Sequence, residues 1–226
     1  MIDLHTHTLL SDGALLPAEL VRRCEEKGIR GLVITDHVDY SNIDFVVPRL
    51  VKACEELNRK GGVTPSLLVK PGAELTHIHP ERIPSMIEAA RRAGAFLVLV
   101  HGETLVEPVL PGTNRAGIEG GADIISHPGL ISEEDARLAA KKGVCLEISG
   151  RKGHSYTNGH VAQIARKTGA ALVFGSDAHA PDDIVDRGMA ERLCMGAGLG
   201  KDEVMQLFIK AEQLIGLSGK GDTRKV

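Results

Sequence analysis

Ten histidines stand in a 226-residue chain that has no Trp, four Phe and two Tyr. Imidazole is the commonest metal ligand and a common acid–base group, so where these side chains fall decides what chemistry is open to the protein. They gather with acids and hydroxyls in short clusters: His5-Thr6-His7 with Ser11-Asp12-Gly13, Thr35-Asp36-His37, Gly72-Ala73-Glu74, His101-Gly102-Glu103, Ser126-His127-Pro128, Glu147-Ile148-Ser149-Gly150-Arg151 and Ser176-Asp177-Ala178-His179. Residues i and i+2 of a strand face the same side. His5 and His7 can therefore reach one metal together, and Asp177 and His179 can do so or serve two adjacent ions. Imidazole with carboxylate suits Zn, Mn or Fe. Closely spaced metals need a bridging carboxylate, and Glu74 is the candidate. With no Cys beside the clusters, a Cys-based structural zinc site is not expected.

Each cluster follows a short apolar run, and the runs alternate with helical patterns. Strands are expected at residues 2–5, 31–35, 66–70 and the next few residues, 96–100, 122–125, 144–148 and 171–174. Helices are expected at 17–27, with Pro17 in the first turn and Gly28 as the stop, and at 45–60, ended by Gly61-Gly62. Further helices are expected at 81–93, 132–142 with Ser132 as N-cap, 158–168, 182–195 and, as one or two helices, 201–217. About seven β-then-α units imply a parallel sheet with crossover helices. The strands lack clean alternation, as expected when both faces are covered. Two architectures fit, a barrel related to the TIM type or an open doubly wound sheet. Either one binds its ligands outside the carboxyl ends of its strands, where the clusters fall.

Composition narrows the function classes. Net charge is −3, which disfavours a dedicated nucleic-acid binder. A small anionic substrate remains compatible, because metals bring their own positive charge. No apolar run reaches the roughly 18–20 residues of a membrane span. The first residues have neither a basic nor an apolar leader region, so a cytoplasmic protein is expected. Cys24, Cys54, Cys145 and Cys194 are far apart and read as buried free thiols. Residues 1–218 read as a single metal-binding domain and 219–226 as a flexible tail; the oligomeric state stays open.

Asp3-Leu4-His5-Thr6-His7 with Ser11-Asp12-Gly13, then Thr35-Asp36-His37, Glu74, His101, His127 and Ser176-Asp177-Ala178-His179, resembles the PHP (polymerase and histidinol phosphatase) family. The stretch His101-Gly102-Glu103-Thr104, with Gly150-Arg151-Lys152-Gly153-His154 and Asn158-Gly159-His160, is similar to a compact histidinol-phosphatase-like subgroup. The resemblance implies an α/β fold, a distorted TIM-like barrel of seven βα units, and hydrolysis of phosphate esters with three divalent ions. It implies a first metal on His5, His7, Glu74 and Asp177. A second would share Glu74 and add His101 and His127, and a third would take Asp12, His37 and His179.

On that basis the expected function is hydrolysis of a small phosphomonoester, histidinol phosphate or a nucleotide-type substrate being candidates. A hydroxide bridging the metals would attack phosphorus in line, and the metals would neutralise charge on its oxygens. Asp177 and His179 are expected at the reaction centre, and His154 or His179 would protonate the leaving group. Arg151 is the best phosphate clamp, because guanidinium can grip two oxygens; Arg115 is the second, and His154 can border the substrate. Asp3, Asp36 and Glu103 are candidate partners for ligand histidines. His77 and His79 can line the pocket or cap a loop, His160 marks a helix start, and Glu147 is pocket-facing or structural. The alternatives are a phosphodiesterase or exonuclease on short nucleic-acid ends and a non-phosphate amide or lactone metallohydrolase.

Overall fold

In a computed structural model, residues 1–59 and 67–217 are described; Gly61-Gly62 at the expected helix end, Ser66 and the 219–226 tail lie outside them. Chain order is β1 (Ile2–Asp3), α1 (Pro17–Glu26), β2 (Gly31–Ile34), β3 (His37–Val38), α2 (Ile43–Asn58), β4 (Leu68–Leu75), α3 (Ile83–Ala93), β5 (Leu97–His101) and α4 (Thr113–Gly120). It continues with β6 (Ile124–Ser126), α5 (Glu133–Lys142), β7 (Cys145–Ser149), α6 (Asn158–Thr168), β8 (Leu172–Gly175), α7 (Arg187–Gly196) and α8 (Lys201–Leu214). All pairings are parallel, in the order β1-β2-β4-β5-β6-β7-β8. β3 pairs with β4 one step beyond β2 and so resumes the same strand after Thr35-Asp36.

The two ends of that order meet at the carboxyl side. Thr6 bridges Ala178, His7 N donates to Ala178 O at 2.9 Å, and Asp177 N donates to His5 O at 2.9 Å. The sheet is thus a barrel nearly closed, as the TIM-like expectation required, and not an open doubly wound sheet. The bond that closes it also fixes the backbone of three expected ligands.

The strands do alternate, in a way hidden from the sequence because both faces are apolar. One set of positions (Leu32, Ile34, Val98, Val100, Ile125, Leu146, Ile148 and Phe174) packs with the helices in the larger core cluster. The intervening set (Val33, Leu97, Leu99, Ile124, Cys145 and Val173) forms a second cluster with Ile2 and Leu4. Ala211, Leu214 and Ile215, from the end of α8 and just beyond, join this inner cluster and plug the amino end of the barrel. Inward positions therefore run from apolar floor to polar ceiling along each strand: Leu97, Leu99, His101; Cys145, Glu147, Ser149; Val173, Gly175, Asp177. A side-chain period of 2 and a floor that excludes water put the ionisable groups on one layer.

Three elements differ from expectation. α4 was unforeseen, since Thr-Asn-Arg-Ala-Gly-Ile-Glu-Gly has poor helix propensity; it is held at its start by Glu103, whose Oε1 accepts from Gly112 N and Asn114 N. The helix expected at 182–195 begins only at Arg187, because Asp186 supplies the N-cap and accepts from Met189 N. The strand expected from residue 66 is β4 and runs on to Leu75. Ser132 caps α5 as read, accepting from Asp135 N.

Candidate metal centre

β1 and the residues after it deliver His5 and His7, with rings 5.0 Å apart. Their Nε2 atoms look at two carboxylates, Glu74 from β4 and Asp177 from the end of β8. His5 Nε2 lies 3.3 Å from Glu74 Oε2 and 3.7 Å from Asp177 Oδ1. His7 Nε2 lies 3.3 Å from Asp177 Oδ1 and 3.7 Å from Glu74 Oε2. All four side chains are buried, yet His5 Nε2, both His7 nitrogens, Glu74 Oε2 and Asp177 Oδ2 have no hydrogen-bond partner. Buried polar atoms are ordinarily satisfied, because each orphan costs about 1–3 kcal/mol. Orphans that converge from four side chains fit a divalent cation among them.

Glu74 also reaches outward. Its Oε2 lies 2.9 Å from His37 Nδ1, a nitrogen whose hydrogen bond is with Thr76 Oγ1 at 2.6 Å; its Oε1 lies 3.5 Å from His127 Nε2, and Ser126 Oγ donates to Oε1. One carboxylate thus faces histidines from three other strand ends, as a bridging ligand must. The ligand atoms of His7, Asp12, His37 and His179 lie within 4.8 Å of one another, and those of His101, His127 and His154 likewise. The first of these groups is the expected third position with His7 added; the second joins the two histidines of the expected second position to His154, without Glu74.

The polar ceiling is strained and tightly supported. The three described non-glycine residues with positive φ are His77 (53°), His127 (28°) and Asp177 (55°), all bordering the same cleft. Such backbone costs about 1–3 kcal/mol and persists where the surroundings over-determine it. Glu147 accepts from His127 N at 2.9 Å and lies 2.7 Å from His5 Nδ1, so it orients one expected ligand and the backbone of another. Gly175 makes room for it: a Cβ there would sit 2.1 Å from Glu147 Oε1. Asp3 accepts from Ser176 N and His5 N, and Asp36 from Thr8 N, Thr8 Oγ1 and Ser11 Oγ, shaping the loop that carries Asp12. Glu147→Gln is expected to weaken metal affinity by about 10–100-fold, checked by chelator competition, because outer partners of ligand histidines are worth that much.

Charge is densely stored here. Burial would depress the His5 imidazolium, but Glu147, Glu74 and Asp177 outweigh it and hold the pKa well above the usual value. Burial, with His37 and His5 nearby, takes His7 well below it, toward the neutral form a metal needs. Burial pushes Asp177 up to about 6. A cation would relieve this crowd of carboxylates.

The cleft holds about 240 Å³ and is lined by Asp12, His37, Thr76, His77, His101, Glu107, His127, Arg151, His154, Asp177 and His179. Arg151 Nη1 donates to Asp177 O at 3.2 Å and lies 2.7 Å from His179 Nδ1, so the guanidinium stands beside two of the expected metal ligands. Arg115 does not. It is on α4, where it pairs with Glu119, Glu134 and Asp135 on the outer helix layer, so its expected place in the pocket is corrected. Arg115→Ala is accordingly expected to leave turnover within about twofold in a steady-state assay, as surface ion pairs are worth roughly 0–1 kcal/mol.

Glu103 supports α4 rather than a ligand histidine. His77 is on the cleft wall, while His79 precedes a 3-10 turn and is not. His160 in the first turn of α6 lies with Nε2 2.8 Å from Ile131 O. The residue missed from the sequence is Glu107, with Oε2 3.2 Å from His101 Nε2 and Oε1 3.4 Å from His154 Nε2. Its one signal was an acid inside the apolar run Leu105-Val106 before Pro108.

Residues 3–167 match the profile of the PHP domain family. This chain belongs to the PHP domain family. An uncharacterized protein of Methanocaldococcus jannaschii is 44% identical over 203 residues, covering 89% of this chain and 92% of its own. A probable phosphatase of Shewanella sp. strain ANA-3 is 29% identical over 210 residues, 79% of this chain and 76% of its own. Among solved structures, the histidinol phosphate phosphatase of Lactococcus lactis, complexed with zinc, L-histidinol and phosphate, superposes with a TM-score of 0.61 at 17% identity, covering 88% of this chain and 94% of that one. That likeness shows that this PHP domain shares its fold. No described helix is long and apolar enough to cross a membrane.

Proposed function

We propose that this chain, a metal-dependent phosphoesterase of the PHP domain family, hydrolyses small phosphomonoesters at three adjoining divalent-metal positions. His5, His7, Glu74 and Asp177 would hold the first, Glu74 with His101 and His127 the second, and Asp12, His37 and His179 the third. The observation that carries the reading is the convergence of buried, unpartnered imidazole and carboxylate atoms on one cleft that also holds Arg151. Divalent cations bound there would supply Lewis-acid stabilisation of phosphoryl oxygens and of the attacking oxygen.

The chain's own residues supply the rest. Arg151 presents guanidinium donors to phosphate oxygens, and its contact with Asp177 O sets the direction of that fork. Asp177 and His179 stand at the reaction centre, and His154 and His179 border it as candidates for protonating the departing oxygen. The cleft, below the roughly 300–1,000 Å³ of a drug-sized pocket, suits a phosphate with a small group attached. The histidinol phosphate phosphatase among its fold neighbours puts histidinol phosphate in the panel to test, beside nucleotides and sugar phosphates.

The test compares an aryl phosphomonoester with the matching diester, using metal-loaded protein. Faster release from the monoester is expected; preferential cleavage of the diester would move the assignment to the phosphodiesterase alternative. Arg151→Lys is expected to raise KM by about tenfold with a smaller change in kcat. Loss of a bidentate grip on a bound phosphate costs roughly 1.4 kcal/mol, measured in the same assay.

A further inference from the structure

Two side chains outside the expected metal ligands converge on the His101–His127 end of the cluster. His154 opens a 3-10 turn after β7 and is buried, although its loop is at the surface. Its ring stacks on His127 at 4.0 Å between centroids and 16° between planes, and it meets His101 edge-on at 5.9 Å. Thr104 Oγ1 lies 2.7 Å from His154 Nδ1, so that nitrogen is engaged and Nε2 is the one turned to the cleft. Among the described residues Nε2 faces carboxylate oxygens too far for a well-formed hydrogen bond, Glu107 Oε1 at 3.4 Å and Asp177 Oδ2 at 3.8 Å.

Glu107 arrives from the loop after β5. Its two oxygens span His154 on one side and His101 on the other, and Oε2 also lies 3.5 Å from His77 Nε2. His101 and His127 each leave one buried ring nitrogen without a partner. The ligand atoms of His101, His127 and His154 already lie within 4.8 Å of one another, which is the spacing of groups that share one ion.

We propose that His154 and Glu107 are additional ligands of the second metal position, so that this ion is enclosed by Glu74, His101, His127, His154 and Glu107. The inference rests on the metal-cluster reading above. A site of three imidazoles and two carboxylates is nitrogen-rich, which favours Zn or Fe over Mg or Ca. With Nδ1 engaged by Thr104 and Nε2 given to an ion, His154 leaves the candidates for leaving-group acid. Thr104 is the positioning residue, because it engages Nδ1 and thereby aims Nε2.

The experiment is elemental analysis of zinc-loaded protein, followed by zinc withdrawal against a graded chelator, for the wild type, Glu107→Gln, His154→Gln and Thr104→Val. Circular dichroism confirms that each variant is folded. Wild type should hold one ion far more tightly than the rest. Glu107→Gln and His154→Gln should each weaken that tightest ion by at least the roughly 100-fold that loss of an outer partner can cost. Thr104→Val should weaken it less. Folded variants that keep the tightest ion at wild-type affinity would overturn the inference while leaving the three-position reading intact. A wild-type chain that binds no zinc would overturn both.

Discussion

Asp177→Ala is expected to lower kcat/KM by about a thousandfold or more while the protein still folds. The carboxylate is buried, lies 3.3 Å from His7 Nε2 and 3.7 Å from His5 Nε2, and is directed by the strained backbone of its own residue. Its loss would take an anionic ligand from the proposed first position and leave two imidazoles with Glu74 alone. Metal-based charge stabilisation is worth several kcal/mol in the transition state, and each 1.36 kcal/mol is tenfold in rate. Folding should survive, because burial raises the cost of this group in the folded state, pushing its pKa up to about 6, so its removal relieves a charge as well as creating a small void. Steady-state kinetics with measured metal content give the check. Unchanged turnover in the folded variant would sink the assignment of the first position.

The second large effect is on stability. Withdrawing metal should lower Tm by roughly 8–16 °C for each strongly bound ion held at a thousandfold excess over its Kd. That concentration corresponds to about 4 kcal/mol of linkage stabilisation, and a protein of this size shifts by about 2–4 °C per kcal/mol. The physical source is on one layer of the barrel: unpartnered His5, His7, His101 and His127 nitrogens and Glu74 and Asp177 oxygens, all buried. Without cations, Glu74, Asp177 and Glu147 share that layer, and burial alone argues against three carboxylates there. Differential scanning fluorimetry with and without a chelator reads the shift. Equal Tm values across metal-loaded and metal-stripped protein would mean that the layer is satisfied by protein contacts alone.

Much of this was legible in the chain. Alternating apolar runs and helical stretches predicted a parallel βα architecture, and the clusters after each run predicted a polar layer at the carboxyl ends. The family resemblance chose the barrel over the open sheet, and the Thr6–Ala178 bridge supplies the physical reason. What escaped was mostly tertiary. The division of the strands into outer and inner faces cannot be read when Leu97 and Val98 are equally apolar yet pack in different clusters. α4 escaped because its stability comes from Glu103 at its start and from packing, not from propensity. That same error placed Arg115 in a loop near the pocket when it is on the far side of a helix, among acids of α4 and α5. Glu107 escaped because a single acid in a loop has no periodicity; only the fold brings it to His101 and His154.

A metal-loaded phosphoesterase site in the cleft is tested most directly by titrating Zn or Mn into metal-stripped protein while phosphate release from a panel of phosphomonoesters is followed. The panel includes histidinol phosphate, nucleotides and sugar phosphates. Release should rise with loading, level off at about three ions per chain and be abolished by a chelator. Bound metal at that stoichiometry with no release from any phosphate ester would contradict that assignment.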